Sequence, residues 1–479
     1  MLTLCGTGER YRRATTISAL LDDVLLEIFD LYREEDEDEN DEPDVWGWNT
    51  LVHVCRRWRQ IVFASPLRLD LKILCTSGTP VRKNLGIWPA LPIVIDYSEI
   101  TNDDEDNMVT ALEHVDRVCK VDLGVTGSGL EKISTAMRQT FPNLAVLFIW
   151  WRDAPVLPAS LPAEFLGGSA PRLQTIQLGG ISFPALPTLL LSTSDLVSLE
   201  LYNIPPNGYI SPEAMVVGLA ALPRLNRFTV LFQLATSRPD RMHPPPVTRT
   251  VLPALTTFEF QGSSEYLEDL AARIDAPQLD EINIYYLNQL VDFQVAQLSG
   301  FIDRSVGPKL ALLKYAQVSF HNRGVTFDMS RETGQYPKQV STTINSQGFD
   351  WQVLHMAQVL SQFSTTLSLS AAVNLKLEVE TGWAGPTEAM DEVDWRYLIL
   401  HFPTMKTMYV SQELAEHIAL ALEHIFAGAF PSLDLIFLEG QSASSVEKFL
   451  AARKFSGRPV TVVDTEAEFD ERVESYISK

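Results

Sequence analysis

Pro171-Arg172-Leu173-Gln174-Thr175-Ile176-Gln177-Leu178 is the stretch on which the fold turns. Ile176 and Leu178 stand two apart, so in an extended chain both point to one side while Thr175 and Gln177 point to the other. Leu173 leads into them. The pattern recurs upstream at Pro142-Asn143-Leu144 with Leu147 and Ile149. Downstream come Leu196 with Leu199 and Leu201, Pro223-Arg224-Leu225 with Phe228 and Val230, and Pro253-Ala254-Leu255 with Phe258 and Phe260. Pro277-Gln278-Leu279 with Ile282 and Ile284 follows, then Pro403-Thr404-Met405 with Met408 and Val410, and Pro431-Ser432-Leu433 with Ile436 and Leu438. From Leu144 to Leu279 the leading leucines are 29, 23, 29, 30 and 24 residues apart.

A short strand that turns one apolar face inward needs a returning segment to cover it, and several returns carry helical spacing. Ser211-Pro212-Glu213 through Leu222 opens on a cap and a first-turn proline. Leu267, Leu270, Ala271 and Ile274 keep helical spacing, as do Val291, Val295, Leu298 and Ile302, and Ser411 through Phe426. Strand, turn and helix at this period resemble a leucine-rich-repeat solenoid. The asparagine slot of that family holds Ile181 in one unit and Ile204 in another. The expected fold class is therefore α/β, an N-terminal helical domain followed by an irregular repeat solenoid over 106–465.

Loops are expected near 236–250 and at 321–348, the latter long, polar and without period, and the register is indistinct from 309 to 380. Phe349 to Phe363 reads as a helix, and Leu375-Lys376-Leu377 as a strand. Residues 1–13 are expected to be a flexible start, 73–105 a junction with a first edge strand, marked by Pro89 and Pro92, and 466–479 a polar tail.

The N-terminal domain, 14–72, is a different object. In Leu51 to Val62 the apolar residues Leu51, Val54, Cys55, Trp58, Ile61 and Val62 form one stripe of a 3.6-residue period, predicting a single helix. Leu20 to Phe29 supplies a partner helix with Leu21, Leu25, Ile28 and Phe29 on one side. Two helices of this size cannot bury both stripes alone, so a further partner is implied. Between them Arg33 to Asp44 holds nine carboxylates against one arginine, read as a solvated insertion.

Leu-x-Asp-Asp-Val-Leu-Leu-x-Ile-Phe at 20–29, followed by Val54-Cys55-Arg56-x-Trp58-Arg59 and Ser65-Pro66, resembles an F-box, over about fifty residues. Leu21 stands where that family has proline, and the acidic run is an insertion. The resemblance implies docking onto the Skp-type linker of a cullin ubiquitin ligase through Leu21, Val24, Leu25, Ile28, Phe29, Leu51, Val54, Cys55 and Trp58. The repeat domain would then hold a client protein. Candidate client contacts are the outward strand residues Phe148, Trp150, Tyr202, Arg227, Glu259, Tyr285, Tyr409 and Phe437, since aromatic anchors on a rigid surface suit protein recognition. The alternative is a repeat scaffold that joins no ligase.

Other classes are disfavoured. A formal charge of −23 argues against a nucleic-acid surface. Hydrophobic residues at 46% supply a large core. No run nears eighteen apolar residues, and Met1 to Arg13 lacks a signal-peptide core, so an intracellular protein, cytoplasmic or nuclear and off the membrane, is expected. Cys5, Cys55, Cys75 and Cys119 form no C-x-x-C pair. No nucleophile elbow, phosphate loop or zinc-protease motif occurs, and Gly124 to Gly129 lacks the phosphate-loop lysine. His417 and His424 lie two turns apart with Glu413 nearby, without a convergent third ligand evident. No cofactor or metal is expected, and the chain reads as a non-catalytic adaptor rather than an enzyme.

Overall fold

The structure, a computed structural model, describes residue 17 and residues 20–34, 47–78, 80–98, 105–152, 160–234, 248–287, 295–310, 312–331, 339–346, 349–363, 369–380, 392–425, 428–439 and 446–465. Residues 1–13, the acidic run from 35 to 44, most of 236–250 and the tail 466–479 lie outside them. The fold is mixed α/β: fourteen α-helices among the described residues and a large, mostly parallel sheet of sixteen strands. The chain divides into two compact units, Met1–Val121 and Asp122–Lys479.

The first unit opens with α1 (Asp22–Glu34), α2 (Gly47–Val54) and α3 (Arg56–Ala64). The single helix expected over 51–62 is broken at Cys55, whose backbone is extended (φ −158°, ψ 169°). Its Sγ accepts the backbone N–H of Trp58 at 3.5 Å, so the cysteine caps α3 rather than continuing α2. Arg59 closes the corner by donating from Nε to the Val52 carbonyl at 3.0 Å. Leu51 and Val52 from one helix and Ile61 and Val62 from the other are thereby buried, and Val54 is left exposed. Arg57 ties the corner to α1, donating to Asp22 Oδ1 and to the Leu20 carbonyl. Beyond the helices come β1 (Ile73–Cys75), α4 (Val81–Ile87), β2 (Ile93–Tyr97) and α5 (Glu105–Leu112). Pro89 and Pro92 both precede β2, so they do not obstruct its pairing, and β1 rather than β2 is the edge.

In the second unit β4 (Val146–Trp151), β5 (Thr175–Gly179), β6 (Ser198–Ile204), β7 (Arg227–Phe232), β9 (Thr257–Gly262) and β11 (Glu281–Tyr286) run parallel in that order. They follow β3 (Val118–Val125), which crosses the unit boundary. Their register is what the repeat requires: Leu147, Ile176, Leu199, Phe228, Phe258 and Ile282 are successive partners, each almost fully buried. Each leading leucine, Leu144 to Leu279, is completely buried at the turn before its strand. Such stacking buries a continuous apolar layer that one repeat could not form alone.

The returns include α6 (Gly127–Ala136), α7 (Leu186–Leu190), α8 (Pro212–Leu219), α9 (Ser264–Ala271) and α10 (Ala296–Leu310). Ser211 caps α8, its Oγ accepting from Ala214 N at 3.2 Å. Ile274, read as helical, lies instead in β10 (Ile274–Asp275), which pairs with β8 (Thr250–Val251) at the end of the proline-rich insertion.

The expected long polar loop at 321–348 is largely sheet. β12 (Tyr315–His321) turns into β13 (Gly324–Ser330), which pairs antiparallel with β14 (Val340–Asn345). The strand order continues β11-β14-β13-β12-β15. Val325, Phe327 and Met329 alternate inward, as do Val340, Thr342 and Ile344, and Thr342 is wholly buried. Gly324 lets β13 lie close against β14, since a Cβ there would sit 2.1 Å from the Ile344 carbonyl oxygen. The parallel ladder resumes with β15 (Asn374–Val379), β16 (Thr407–Val410), β17 (Leu435–Glu439) and β18 (Thr461–Thr465). α11 (Phe349–Phe363), α12 (Glu392–Leu400), α13 (Ala415–Glu423) and α14 (Glu447–Phe455) accompany it.

Candidate functional site

Two surfaces gather the candidate residues, one in each unit. On α1 the inner stripe, Leu25, Leu26 and Phe29, is buried, and Phe29 meets the half-buried Trp58 with ring centroids 4.8 Å apart. Leu51 is buried with them. These candidates hold the three helices together. Leu21, Val24, Ile28, Val54 and Cys55 lie on the surface. Leu31 and Tyr32, one turn beyond Ile28, are also exposed; the three-and-four spacing Leu21, Val24, Ile28, Leu31 carried that signal in the sequence. A helix apolar on two adjoining faces, with one face inside its own bundle, exposes surface that soluble proteins usually cover. Arg68, hydrogen-bonded to Asp30 and Glu27, holds the polar side of α1; those bonds raise its pKa above the ordinary arginine value.

In the second unit the outward strand positions fall into rows that cross the sheet. One row reads Phe148, Gln177, Glu200, Thr229, Glu259 and Asn283. The next reads Trp150, Gly179 and Tyr202. Trp150 reaches over Gly179, where a Cβ would lie 2.1 Å from the indole, and stacks on Tyr202 at 5.3 Å between centroids and 26° between planes. Gly179 was not among the candidates, though its place between two aromatics in register is visible once the strands are aligned. Glu200 is nearly buried; it accepts from Ser198 Oγ at 2.6 Å and from the Tyr202 hydroxyl. Burial, then this bond to Glu200, pushes the Tyr202 phenol up. Burial likewise raises the Glu259 carboxyl, against a long bond from Thr229 and the charge of Arg227.

No family model matches this chain, and no curated protein matches it.

Tyr409 and Phe437 stand on the same row further along, Tyr409 paired with Lys376 and with Phe437. Both are buried, packed by Tyr315, Leu435 and Val463, and Tyr409 donates to Glu439 at 2.9 Å. The arrangement separates them from the six accessible candidates: Phe148, Trp150, Tyr202 and Glu259 are half-buried, and Arg227 and Tyr285 are exposed. His417 stacks near Trp395 at 6.4 Å, and His424 Nδ1 lies 3.1 Å from the Leu420 carbonyl. Among the described residues no group of three or more histidines, cysteines or carboxylates converges as a metal site would, and no helix is long and apolar enough to cross a membrane.

Proposed function

We propose that the chain is a substrate-receptor subunit of an SCF-type ubiquitin ligase, non-catalytic itself. Its N-terminal unit would dock a Skp-type linker, and through it a cullin. Its repeat domain, read as a leucine-rich-repeat-like solenoid, would hold a client protein. The observation that carries this reading is the second apolar face of α1: Leu21 is 72% exposed and Leu31 59%, with Val54 56% exposed at the end of α2. The F-box-like residues that resemble a linker-binding motif lie on these helices. Proximity would be the chain's contribution, raising the local concentration of client lysines near the conjugating enzyme.

The burial of Leu25, Phe29 and Leu51 within the unit favours a second reading, a repeat scaffold whose helices serve only the chain's own fold. The two part on surface substitutions. Ile28→Glu and Val54→Glu alter exposed side chains and leave the bundle core intact, so the protein should melt as wild type does while linker capture in a pull-down falls at least about tenfold. Undiminished capture by both variants, or no capture by wild type, would overturn the adaptor reading.

A further inference from the structure

We infer that the β4–β11 face receives an extended, arginine-bearing basic segment of the client; this rests on the reading of that face as the client surface and names the chemistry it selects. Charge complementarity carries the choice of occupant. On these six strands the charged residues are Glu200, Glu259, Glu281 and Arg227, three carboxylates against one guanidinium, all on the outward face. The chain as a whole carries −23, so a basic segment is also drawn from a distance.

The carboxylates are fixed rather than loose. Glu200 is held by Ser198 and Tyr202, and Glu281 accepts from Asn283 Nδ2 at 2.8 Å. Neither arrangement neutralises the charge, and an ion pair supplied from outside would. Beside Glu200 the stacked Trp150–Tyr202 pair offers an aromatic wall next to a carboxylate. That combination suits a planar guanidinium, which stacks and forks at once, better than a lysine ammonium. Glu259 lies two strands further on, roughly 10 Å away, within reach of two long arginine side chains that leave an extended segment about 7 Å apart, two residues from each other. Thr229 stands between them, and Arg227, the neighbouring outward position on the same strand, repels a cation on its side of that row and so sets the register. A glutamate-rich segment would meet three like charges.

The test uses the purified full chain and two fluorescein-labelled peptides, one alternating arginine with glycine and one alternating glutamate with glycine, followed by anisotropy at about 0.15 M salt. The arginine peptide should bind and the glutamate peptide should not. Trp150→Leu changes no charge, and Glu200→Gln with Glu259→Gln removes only two charges from a chain at −23. Diffuse attraction would therefore scarcely notice either, whereas loss of this site should weaken binding about tenfold in each. Thermal melts check folding, and the glutamine pair decides should the leucine variant fail to fold. Absence of arginine-peptide binding, or binding within twofold of wild type in the folded variants, overturns the inference. Linker capture by wild-type protein is scored in parallel. A chain that captures linker and ignores the arginine peptide overturns this inference alone; one that fails to capture linker overturns the adaptor reading, and the peptide result still decides the surface chemistry.

Discussion

Glu268 shows how much a single side chain can carry between repeats. It sits on α9, almost fully buried, and accepts the backbone N–H groups of Gln297 and Leu298 at 2.8 and 2.9 Å, closing the start of α10. Burial outweighs those two bonds and pushes its carboxyl up from 4.5 to about 7. A folded value above the unfolded one means that folding binds a proton. The stabilising contribution is therefore full below the unfolded value and is lost as pH rises through about 7. Urea melts at about pH 5.5 and pH 8 should differ by roughly 2 kcal/mol from this group, and Glu268→Gln should flatten that slope. An unchanged slope would show that the carboxylate is better solvated than its burial implies. At the same scale, Gly179→Ala would drive a methyl into the Trp150 indole. Loss of the Trp150–Tyr202 stack should appear as a changed tryptophan emission with little change in far-UV circular dichroism.

Among the elements, the break at Cys55 is the one that orients the surface. Cys55→Ser keeps an acceptor at the cap and should leave stability equal or higher, whereas Cys55→Ala should cost about 1 kcal/mol in a denaturant melt. Equal stability of the two variants would mean that the Sγ contact does not matter. The break was not legible in the sequence, because the stripe from Leu51 to Val62 keeps its period straight through the cysteine; only the competing cap distinguishes two helices from one. The repeat was legible for the opposite reason. Leu173, Ile176 and Leu178 and their copies obey a spacing that a strand alone satisfies, and their register across the sheet follows. The strands β13 and β14 were missed since polar residues alternate through both and hydroxyls occupy both faces of β14, with Thr342 taking a core position that pattern-reading reserves for aliphatic residues. Gly324 is the element's weak point: Gly324→Val should disrupt the β13–β14 pairing and destabilise the protein by at least about 2 kcal/mol.

For the whole molecule, the candidate site was legible as residue types and less so as surfaces. The aromatic and charged outward positions Phe148, Trp150, Tyr202, Arg227, Glu259 and Tyr285 share one accessible sheet face because strands in register place alternate residues together. Tyr409 and Phe437 obey the same alternation and are nonetheless buried, because Tyr315, Leu435 and Val463 of the same sheet pack against them. The same division marks the helices: periodicity found the apolar residues of α1, and packing decided that Leu25 and Phe29 face inward while Val24 and Ile28 face out. The adaptor reading requires that outer face to be where a linker sits. Hydrogen–deuterium exchange of the full chain with and without a purified Skp-type linker measures this directly. New protection over 21–34 and 47–64 on adding linker, with the sheet strands unchanged, is the expected result; exchange in those helices unaltered by saturating linker would contradict it.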